Sequence, residues 1–245
     1  MSSIVSETTI VGDDTTIGHF AVIGKNVRIG SGCQIGHHVV IHDDTILGDN
    51  CVIDDHAVVG KRPLRSRPMA IQPGDDLDPL VLAEGVVIGT GAIVFRGSQI
   101  GEDSLVADLA SVREQSVIGT RSIVGRGVAV ENRVLIGDRV KIEAGAFVCA
   151  FTEIADDCFV APEVALTNDN YLGRTEERKK NYKGTTIERG GRVGANATVL
   201  PGKTIHSDGV AAAGATVTKD IPAGEIRSGI QATRLKDVPP EQRLP

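Results

Sequence analysis

The chain has 245 residues and a formal net charge of −6, and it is 41% hydrophobic but only 3% aromatic, without tryptophan. This acidic balance, with no basic face, argues against a nucleic-acid-binding protein. No apolar run approaches the roughly 18 residues that a membrane span needs, and no signal peptide precedes the first regular segment, so we expect a cytoplasmic protein.

A six-residue repeat of aliphatic residues covers most of the chain. It runs over residues 5–59, 82–166 and 187–217, with one lapse at Ala211. The residue four places after each aliphatic is usually small, and it faces the same side as the next aliphatic because strand side chains alternate. Gly or Ala and then polar residues usually follow the aliphatic, which is turn chemistry. Each repeat therefore predicts one short strand and one turn, wound into a solenoid whose coils cover one another.

These repeats resemble the hexapeptide repeats of the left-handed parallel β-helix, in which three repeats close one triangular coil. The resemblance implies an all-β fold of about ten coils. We assign residues 1–221 to the β-helix domain and residues 222–245 to a short C-terminal extension. The small inward position is occupied by Cys33, Cys51 and Cys158, which favours inert core thiols over metal ligands or disulfides.

Two interruptions, at residues 60–81 and 167–186, predict protruding loops. If neither loop consumes a repeat, counting in threes places both on one edge of the prism, about 24 Å apart. On this edge large polar, charged or aromatic residues replace most of the usual Gly and Ala; they include His42, Phe95, Arg96, Arg113, Glu114, Glu131, Asn132, Cys149 and Asn168. Each residue alone is also consistent with a solvated turn, but the series favours a binding groove.

The second loop carries the main functional resemblance. Its sequence TNDNYLGRT (167–175) resembles that of hexapeptide-repeat N-acetyltransferases that act on nucleotide-linked amino sugars. The resemblance implies that Asn168 takes part in catalysis and that Asp169 lies beside the acceptor.

The last coils, GANATVLPG (194–202) and AAAGATVTKDIP (211–222), resemble the segment that binds acetyl-coenzyme A in the wider acetyltransferase family. The implied coenzyme contacts are Gly194, Ala195, Ala213, Gly214 and Ala215 along the pantetheine arm, and Lys219 or Arg234 on the phosphates.

The middle of the chain, at 91–97 and 104–119, resembles the UDP-N-acetylglucosamine acyltransferase of lipid A synthesis. Where that family has its catalytic His, this chain has Glu114. Acylation of a hydroxyl needs a base, whereas a deprotonated amine attacks directly, so Glu114 favours an amine acceptor. We expect direct transfer from acetyl-coenzyme A in a ternary complex, with Asn168 orienting the amine and Asp169 or Glu114 accepting its proton.

The predicted substrate-binding residues are Arg96, Arg113, Glu131, Asn132, Tyr171 and Arg174. The basic residues of the first loop are Lys61, Arg62, Arg65 and Arg67. They either hold a nucleotide diphosphate or form a solvated charge cluster.

Three alternative functions stay open. A lipid A type acyltransferase would use a longer acyl donor. A γ-class carbonic anhydrase would need three His ligands; His37 and His42 have a suggestive spacing, but the third position falls at Met1, and we expect no metal. A noncatalytic scaffold would use the groove only for binding. The acyltransferase resemblance implies a homotrimer whose partners are a nucleotide sugar and acetyl-coenzyme A, with no nucleic acid and no membrane.

Overall fold

Each six-residue repeat forms one short strand and one turn. The computed structural model describes residues 2–74, 76–230 and 233–237. Most strands have two residues, and each pairs in parallel with strands one coil before and after it; Val22, for example, pairs with both Ile4 and Val40.

The strands before the first loop are β1 (Ile4–Val5), β2 (Ile10–Val11), β3 (Thr16–Ile17), β4 (Val22–Ile23), β5 (Arg28–Ile29), β6 (Gln34–Ile35), β7 (Val40–Ile41), β8 (Ile46–Leu47), β9 (Val52–Ile53) and β10 (Val58–Lys61). Between the two loops lie β11 (Val81–Leu82), β12 (Val87–Ile88), β13 (Ile93–Phe95), β14 (Gln99–Ile100), β15 (Leu105–Val106), β16 (Ser111–Val112), β17 (Val117–Ile118), β18 (Ile123–Val124), β19 (Ala129–Val130), β20 (Leu135–Ile136), β21 (Lys141–Ile142), β22 (Phe147–Val148), β23 (Glu153–Ile154), β24 (Phe159–Val160) and β25 (Ala165–Leu166). The second loop and the region beyond it contain a 3₁₀ helix (Glu177–Lys180), β26 (Thr186–Ile187), β27 (Arg192–Val193), β28 (Thr198–Val199), β29 (Thr204–Ile205), β30 (Val210–Ala211), β31 (Thr216–Val217), β32 (Glu225–Ser228) and β33 (Thr233–Asp237).

Every third strand belongs to the same sheet, so the chain winds around three sheets. Sheet A has eleven strands and contains β1, β4 and every third strand to β31; sheet B has ten strands, from β2 to β29; sheet C has twelve strands, from β3 to β33. The predicted all-β, left-handed parallel β-helix is therefore confirmed.

The interior is aliphatic, as the repeat predicts. The second residue of nearly every regular strand points inward, and Ile53, Val94, Val130 and Val199 are completely buried. At many turns one residue adopts a positive φ, often Asn, Asp or Gly, because these residues tolerate the left-handed conformation. This alternation of buried aliphatic and left-handed turn residue explains why the repeat has a period of six.

The solenoid has eleven coils, about one more than predicted, because it continues after the repeat pattern lapses. Ile221 forms an isolated bridge to Ile205, and β32 pairs in parallel with β30 before β33 folds back antiparallel to it. The division of the chain at residue 221 stays a prediction. Residues 231–232 and 238–245 of the predicted extension lie outside the described residues, and so does Met1 at the other end of the chain.

Both loops leave the same corner of the triangle. The first connects β10 of sheet A to β11 of sheet B, and the second connects β25 of sheet A to β26 of sheet B. No repeat is consumed by either loop, so the counting argument is confirmed. We call residues 62–80 loop 1, residues 167–185 loop 2, and the turns between sheets A and B the A–B corner.

The four cysteines, Cys33, Cys51, Cys149 and Cys158, are unpaired thiols and all are buried. Burial raises the pKa of Cys51 and of Cys158 to about 12. The prediction of core thiols at the three inward positions is confirmed. Over the described ranges no cluster of three or more His, Cys, Asp or Glu could hold a metal ion. No helix in that part of the chain is long and apolar enough to cross a membrane.

Candidate active site

The two loops fold over the A–B corner and enclose a cleft of about 310 Å³. The corner itself contributes polar side chains from three successive coils, loop 1 contributes a short apolar segment, and loop 2 contributes both of its ends. The lining residues are Met69, Ala70, Ile71, Arg113, Glu131, Asn132, Phe147, Cys149, Ala150, Asn168, Asp169 and Tyr182. The structure thus brings together five predicted site residues: Arg113, Glu131, Asn132, Asn168 and Asp169.

Arg113 is clamped at one end of the cleft. Its Nε donates to Glu114 Oε2 at 2.8 Å and its Nη2 donates to Glu114 Oε1 at 3.0 Å. The guanidinium carbon lies 5.0 Å from the centre of the Phe95 ring, and Nη1 lies 3.7 Å from Glu131 Oε2. This fork-to-fork ion pair and the aromatic face fix the plane of the guanidinium, leaving Nη1 as the group that faces Glu131.

Glu114 supports Arg113 and is poorly placed to accept a proton from a substrate. The residue is only 2% exposed, and both carboxylate oxygens already accept hydrogen bonds from the guanidinium. A substrate amine has no access to it. The prediction that Glu114 takes the proton is therefore corrected.

Asp169 lies at the cleft, but its carboxylate shapes loop 2. Oδ1 accepts from the Tyr171 backbone N–H at 2.8 Å, and Oδ2 accepts from the Gly173 N–H at 2.9 Å and from Arg178 at 3.3 Å. Desolvation would raise the pKa of Asp169, but the hydrogen bonds from Gly173, Tyr171 and Arg178 outweigh it and hold the pKa below its ordinary value. A carboxylate held in this way is a poor base, which corrects its predicted role.

Two amide side chains keep hydrogen-bonding capacity directed at the cleft. Asn168 Nδ2 donates to the Ala150 carbonyl at 3.3 Å, and within the described residues its Oδ1 accepts no hydrogen bond. Asn132 is only 6% exposed, and its side-chain amide makes no hydrogen bond to any described residue. Their free amide groups lie at the cleft and can bind a ligand.

Glu131 is the cleft carboxylate with the most freedom. Its side chain is 33% exposed, and its contact with Arg113 is a 3.7 Å ion pair, longer than a hydrogen bond. Because Glu114 and Asp169 are occupied, Glu131 replaces them as the candidate proton acceptor. The sequence analysis placed Glu131 on the right corner but assigned it to substrate binding and gave the catalytic role to Glu114, since only the contacts show which carboxylate is occupied.

Cys149 is a thiol of the cleft wall. Its Sγ lies 3.2 Å from Thr152 Oγ1, and burial raises the pKa of Cys149 to about 11. A thiol with this pKa is almost entirely protonated near neutral pH, and the thiolate is the nucleophilic form. The cleft therefore does not favour a covalent acyl-cysteine intermediate.

Three predicted substrate-binding residues lie elsewhere. Arg96 is buried, and its guanidinium donates to the Leu77 and Asp43 carbonyls and to Asp44, so it anchors the end of loop 1 outside the cleft, and its role in substrate binding stays a prediction. Tyr171 and Arg174 are outside the lining of the cleft. The Tyr171 hydroxyl accepts from Asn181 at 3.0 Å within loop 2.

The residues predicted to bind coenzyme lie mainly at the corner between sheets C and A, away from the cleft of the same chain. Gly194 and Ala195 follow β27, and Ala213 and Gly214 follow β30. A Cβ at Gly194 would collide with the backbone of Ala213, so close coil stacking alone requires this glycine. Ala215 is completely buried and presents no surface to a ligand, which corrects its predicted role.

The two cationic residues of the coenzyme prediction differ. Lys219 is exposed after β31. Arg234 lies on β33, where Nη2 is 2.9 Å from Asp237 and Nε is 3.6 Å from Glu225. Arg234 is thus partly neutralised by its neighbours.

Sequence reasoning missed Met69, Ala70 and Ile71 of loop 1 and Tyr182 of loop 2. Neither loop is periodic, so no pattern indicates which loop residues fold back onto the corner. Phe147 was also missed, although its position in the repeat places it on the outer face of sheet A, where it is 41% exposed.

Comparison with known proteins gives a local family match. Residues 8–43 and 26–61 match the family described as "Bacterial transferase hexapeptide (six repeats)". The match covers the N-terminal coils, and the strand order extends the same β-helical architecture through the rest of the described residues.

Galactoside O-acetyltransferase of Escherichia coli (strain K12) is 30% identical over 88 residues, which are 35% of this chain. The matched segment spans 43% of that relative.

Solved structures resemble nearly the whole chain. The UDP-N-acetylglucosamine acyltransferase of Arabidopsis superposes with a TM-score of 0.63 at 18% identity, covering 97% of this chain and 73% of its own. The corresponding acyltransferase of Francisella novicida gives a TM-score of 0.53 at 19% identity, covering 96% and 68%. At these identities the likeness establishes the fold.

Proposed function

We propose that the protein transfers an acyl group from a coenzyme A thioester to the amino group of a nucleotide-linked amino sugar, with acetyl-coenzyme A as the first donor to test. The observation that carries this proposal is the free hydrogen-bonding capacity of the Asn132 side chain and of Asn168 Oδ1, which face one cleft with the clamped Arg113. The hexapeptide-repeat match and the O-acetyltransferase relative support acyl transfer as the reaction class.

The cleft fits an amine acceptor better than a hydroxyl acceptor. No imidazole lines it among the residues that the structure describes, and an alcohol needs a base during attack. A neutral amine attacks the thioester carbonyl with its own lone pair. The N–C bond forms, the C–S bond breaks, the thiolate leaves, and the proton lost from nitrogen goes to Glu131 or water.

Catalysis then depends mainly on position. Asn168 Oδ1 accepts a hydrogen bond from the amine and directs its lone pair at the carbonyl carbon, while Asn132 and Arg113 hold the sugar. The raised pKa of Cys149 supports direct transfer in a ternary complex over a covalent intermediate.

A longer acyl donor is the second candidate, favoured by the apolar wall formed by Met69, Ile71 and Phe147. Assays with acetyl-, butyryl- and longer acyl-coenzyme A distinguish the two. Preference for a longer chain would replace acetyl as the donor without changing the site.

A homotrimer is the proposed assembly. The first residue of each of the eleven strands of sheet A is uncharged and lies on the outer face: Ile4, Val22, Val40, Val58, Ile93, Ser111, Ala129, Phe147, Ala165, Thr198 and Thr216. Sheets B and C carry charges on their outer faces, such as Arg28 and Lys141. Packing of sheet A against a neighbour would place the second chain beside Phe147 and the cleft. Light scattering of the wild type and Ala129→Arg tests this: a trimer that Ala129→Arg dissociates is expected, and a monomeric wild type would contradict it.

We also expect the protein to be cytoplasmic, because its four unpaired thiols fit a reducing compartment. Fractionation of the producing cells checks this.

The deciding experiment screens acyl-coenzyme A donors against a panel of nucleotide-linked amino sugars. Asn168→Ala should lower kcat by about 100-fold, as loss of a transition-state hydrogen bond does. Asn170→Ala is the matched control, since Asn170 is exposed in the same loop and should keep full activity. If no amine is acylated, or if Asn168→Ala is fully active, the proposed function is wrong; failure to bind any coenzyme A thioester would leave a noncatalytic scaffold.

A further inference from the structure

A second pocket lies on the A–B corner, on the N-terminal side of the cleft. It measures about 380 Å³ and is lined by His42, Asp43, Gly60, Lys61, Arg62, Leu64 and Arg96. Phe95 separates the two sites: Lys61 Nζ lies 5.5 Å from the centre of its ring, and the Arg113 guanidinium carbon lies 5.0 Å from it. We call this second site the basic pocket.

Gly60 builds the basic pocket by interrupting β10. It has a φ of 76°, and the pairing of β10 with β13 shifts at this point, so that Lys61 pairs with Phe95. A Cβ at Gly60 would collide with the hydroxyl of Thr45 and approach His42 Cβ at 3.4 Å. Only glycine fits here, because the positive φ and the close approach both exclude a side chain.

Cations outnumber carboxylates at the pocket. Within the described part of the chain, Lys61 and Arg62 form no ion pair, and the Lys61 ammonium lies over the Phe95 ring. Arg96 forms an ion pair with Asp44 at 3.0 Å, and Asp44 also lies within electrostatic reach of Arg62. The Asp43 carboxylate accepts the Lys25 backbone N–H at 2.7 Å and keeps its negative charge. Three cations against two carboxylates leave the pocket positive although the whole chain carries −6.

His42 adds an unpaired hydrogen-bonding group. Its imidazole is half-buried, and in the described residues neither ring nitrogen has a hydrogen-bond partner. Burial, opposed by Asp43 and assisted by Lys61, lowers the pKa of His42. A neutral imidazole beside two cations can donate one hydrogen bond to an oxyanion without the desolvation cost of a further charge.

We propose that the basic pocket binds a phosphoryl group through Lys61, Arg62 and His42. Two ammonium or guanidinium groups and one imidazole N–H match the several acceptor oxygens of a phosphate or diphosphate. Of the four basic residues at 61–67, Arg65 is turned away and donates to the Pro73 carbonyl at 2.9 Å. The phosphoryl group belongs either to a free phosphate compound or to a nucleotide-linked sugar; only the second source rests on the proposed function.

Calorimetry on the full chain measures anion binding and tests the proposal. No acyl donor is added, so the result does not depend on whether the protein transfers an acyl group. The probes are inorganic pyrophosphate, UDP and uridine. Pyrophosphate and UDP should bind and uridine should not. Similar affinities for pyrophosphate and UDP indicate that the phosphoryl group suffices, whereas UDP binding more than about tenfold tighter identifies a nucleotide as the source.

The variants locate the site. Lys61→Ala combined with Arg62→Ala should weaken binding of both anions by about 100-fold, and His42→Gln by several-fold to about tenfold. Arg126→Ala removes an exposed cation outside both pockets, and Asn168→Ala alters only the cleft; both should bind as the wild type does. The proposal fails if neither anion binds, if uridine binds equally well, or if Arg126→Ala weakens binding as much as the double variant.

Discussion

The A–B corner and the corner between sheets C and A are built from the same repeat, yet their polar groups have different partners. At the C–A corner the Asp55 and Asp108 carboxylates accept backbone N–H groups of the coil before them, at 2.6 and 3.1 Å. Aromatic rings stack there as well: His38 lies 4.8 Å from Phe20 and 4.9 Å from His56. Polar groups of each coil are thus paired with groups of the neighbouring coil.

Between the loops the A–B corner keeps part of this ladder, since Arg133 donates to Gln115 one coil away at 3.1 Å. Facing the cleft, however, the Asn132 side chain makes no hydrogen bond to any described residue, Asn168 Oδ1 accepts none, and Glu131 has a partly exposed carboxylate. These groups remain available to a ligand or to water. Substitutions on the two kinds of corner should therefore differ in kind.

The largest expected effect is at Glu131. Glu131→Gln keeps the shape of the side chain but removes its capacity to take a proton, so kcat should fall by about 100-fold in the acyl-transfer assay. Glu153→Gln is the matched control, because Glu153 is exposed on sheet B and should have no effect. Full activity of Glu131→Gln would assign proton removal to water.

Asn132→Ala should lower kcat/KM by about tenfold without loss of stability, because its amide has no partner to lose. Asn50 is its opposite at the corner between sheets B and C, where side chains also pair between coils: Nδ2 donates to Glu84 at 3.3 Å, and φ is 58°. Asn50→Ala should cost about 1 kcal/mol of unfolding free energy and leave activity unchanged. Urea unfolding and kinetics on both variants check this, and a loss of stability in Asn132→Ala alone would break the comparison.

Glu114 should act through Arg113. Glu114→Gln removes the carboxylate that holds Nε and Nη2, so the guanidinium gains freedom and KM for the sugar should rise by about fivefold with kcat nearly constant. A fall in kcat with unchanged KM would instead restore Glu114 as a proton acceptor. Measuring both constants separates these outcomes.

How far the sequence predicts this site depends on periodicity. The repeat placed both loops and the residues Arg113, Glu131, Asn132 and Asn168 on one corner, because counting in threes needs no side-chain information. It did not show that Glu114 turns inward under Arg113, since the turn residues of this corner depart from the repeat. The loop residues Met69 and Tyr182 are aperiodic, and so no spacing predicts them.

The last coil shows the same limit in the scaffold. The repeat lapses after Val217, and the count stopped there, but β32 still pairs with β30. Backbone pairing continues where the side-chain pattern that reveals it has ended. The coenzyme prediction failed at Ala215 for a related reason: its position is a small inward one, which the repeat itself marks as core.

Cys149 offers a pH-dependent check of the cleft. Its pKa is raised to about 11, so at pH 8 its thiolate fraction is well below that of an ordinary cysteine, and alkylation should accelerate roughly tenfold per pH unit until the pH approaches 11. Iodoacetamide at pH 7 should leave activity intact. Mass spectrometry of the modified peptide follows the reaction, and fast modification of Cys149 near neutral pH would contradict its burial.

The smallest expected effect belongs to the corner between sheets B and C, away from the cleft, where side chains pair between coils. Asp157 accepts hydrogen bonds from Arg139 at 2.6 Å and from Arg189 at 3.3 Å. The hydrogen bond from Arg139 has the largest effect on its pKa. Together with the charges of both arginines it outweighs desolvation and holds the pKa of Asp157 below its ordinary value. A carboxyl whose pKa is lower in the folded state stabilises above its unfolded pKa, near 3.9, and that contribution is lost as the pH falls through the folded value. Asp157→Asn should therefore cost under about 1 kcal/mol at pH 7. The difference from the wild type should vanish in strong acid, and high salt should shrink it because the pair is near the surface. Activity should not change. An activity loss in Asp157→Asn would mean that the ladder corners contribute to function after all, and the distinction between paired and unpaired corners would then fail.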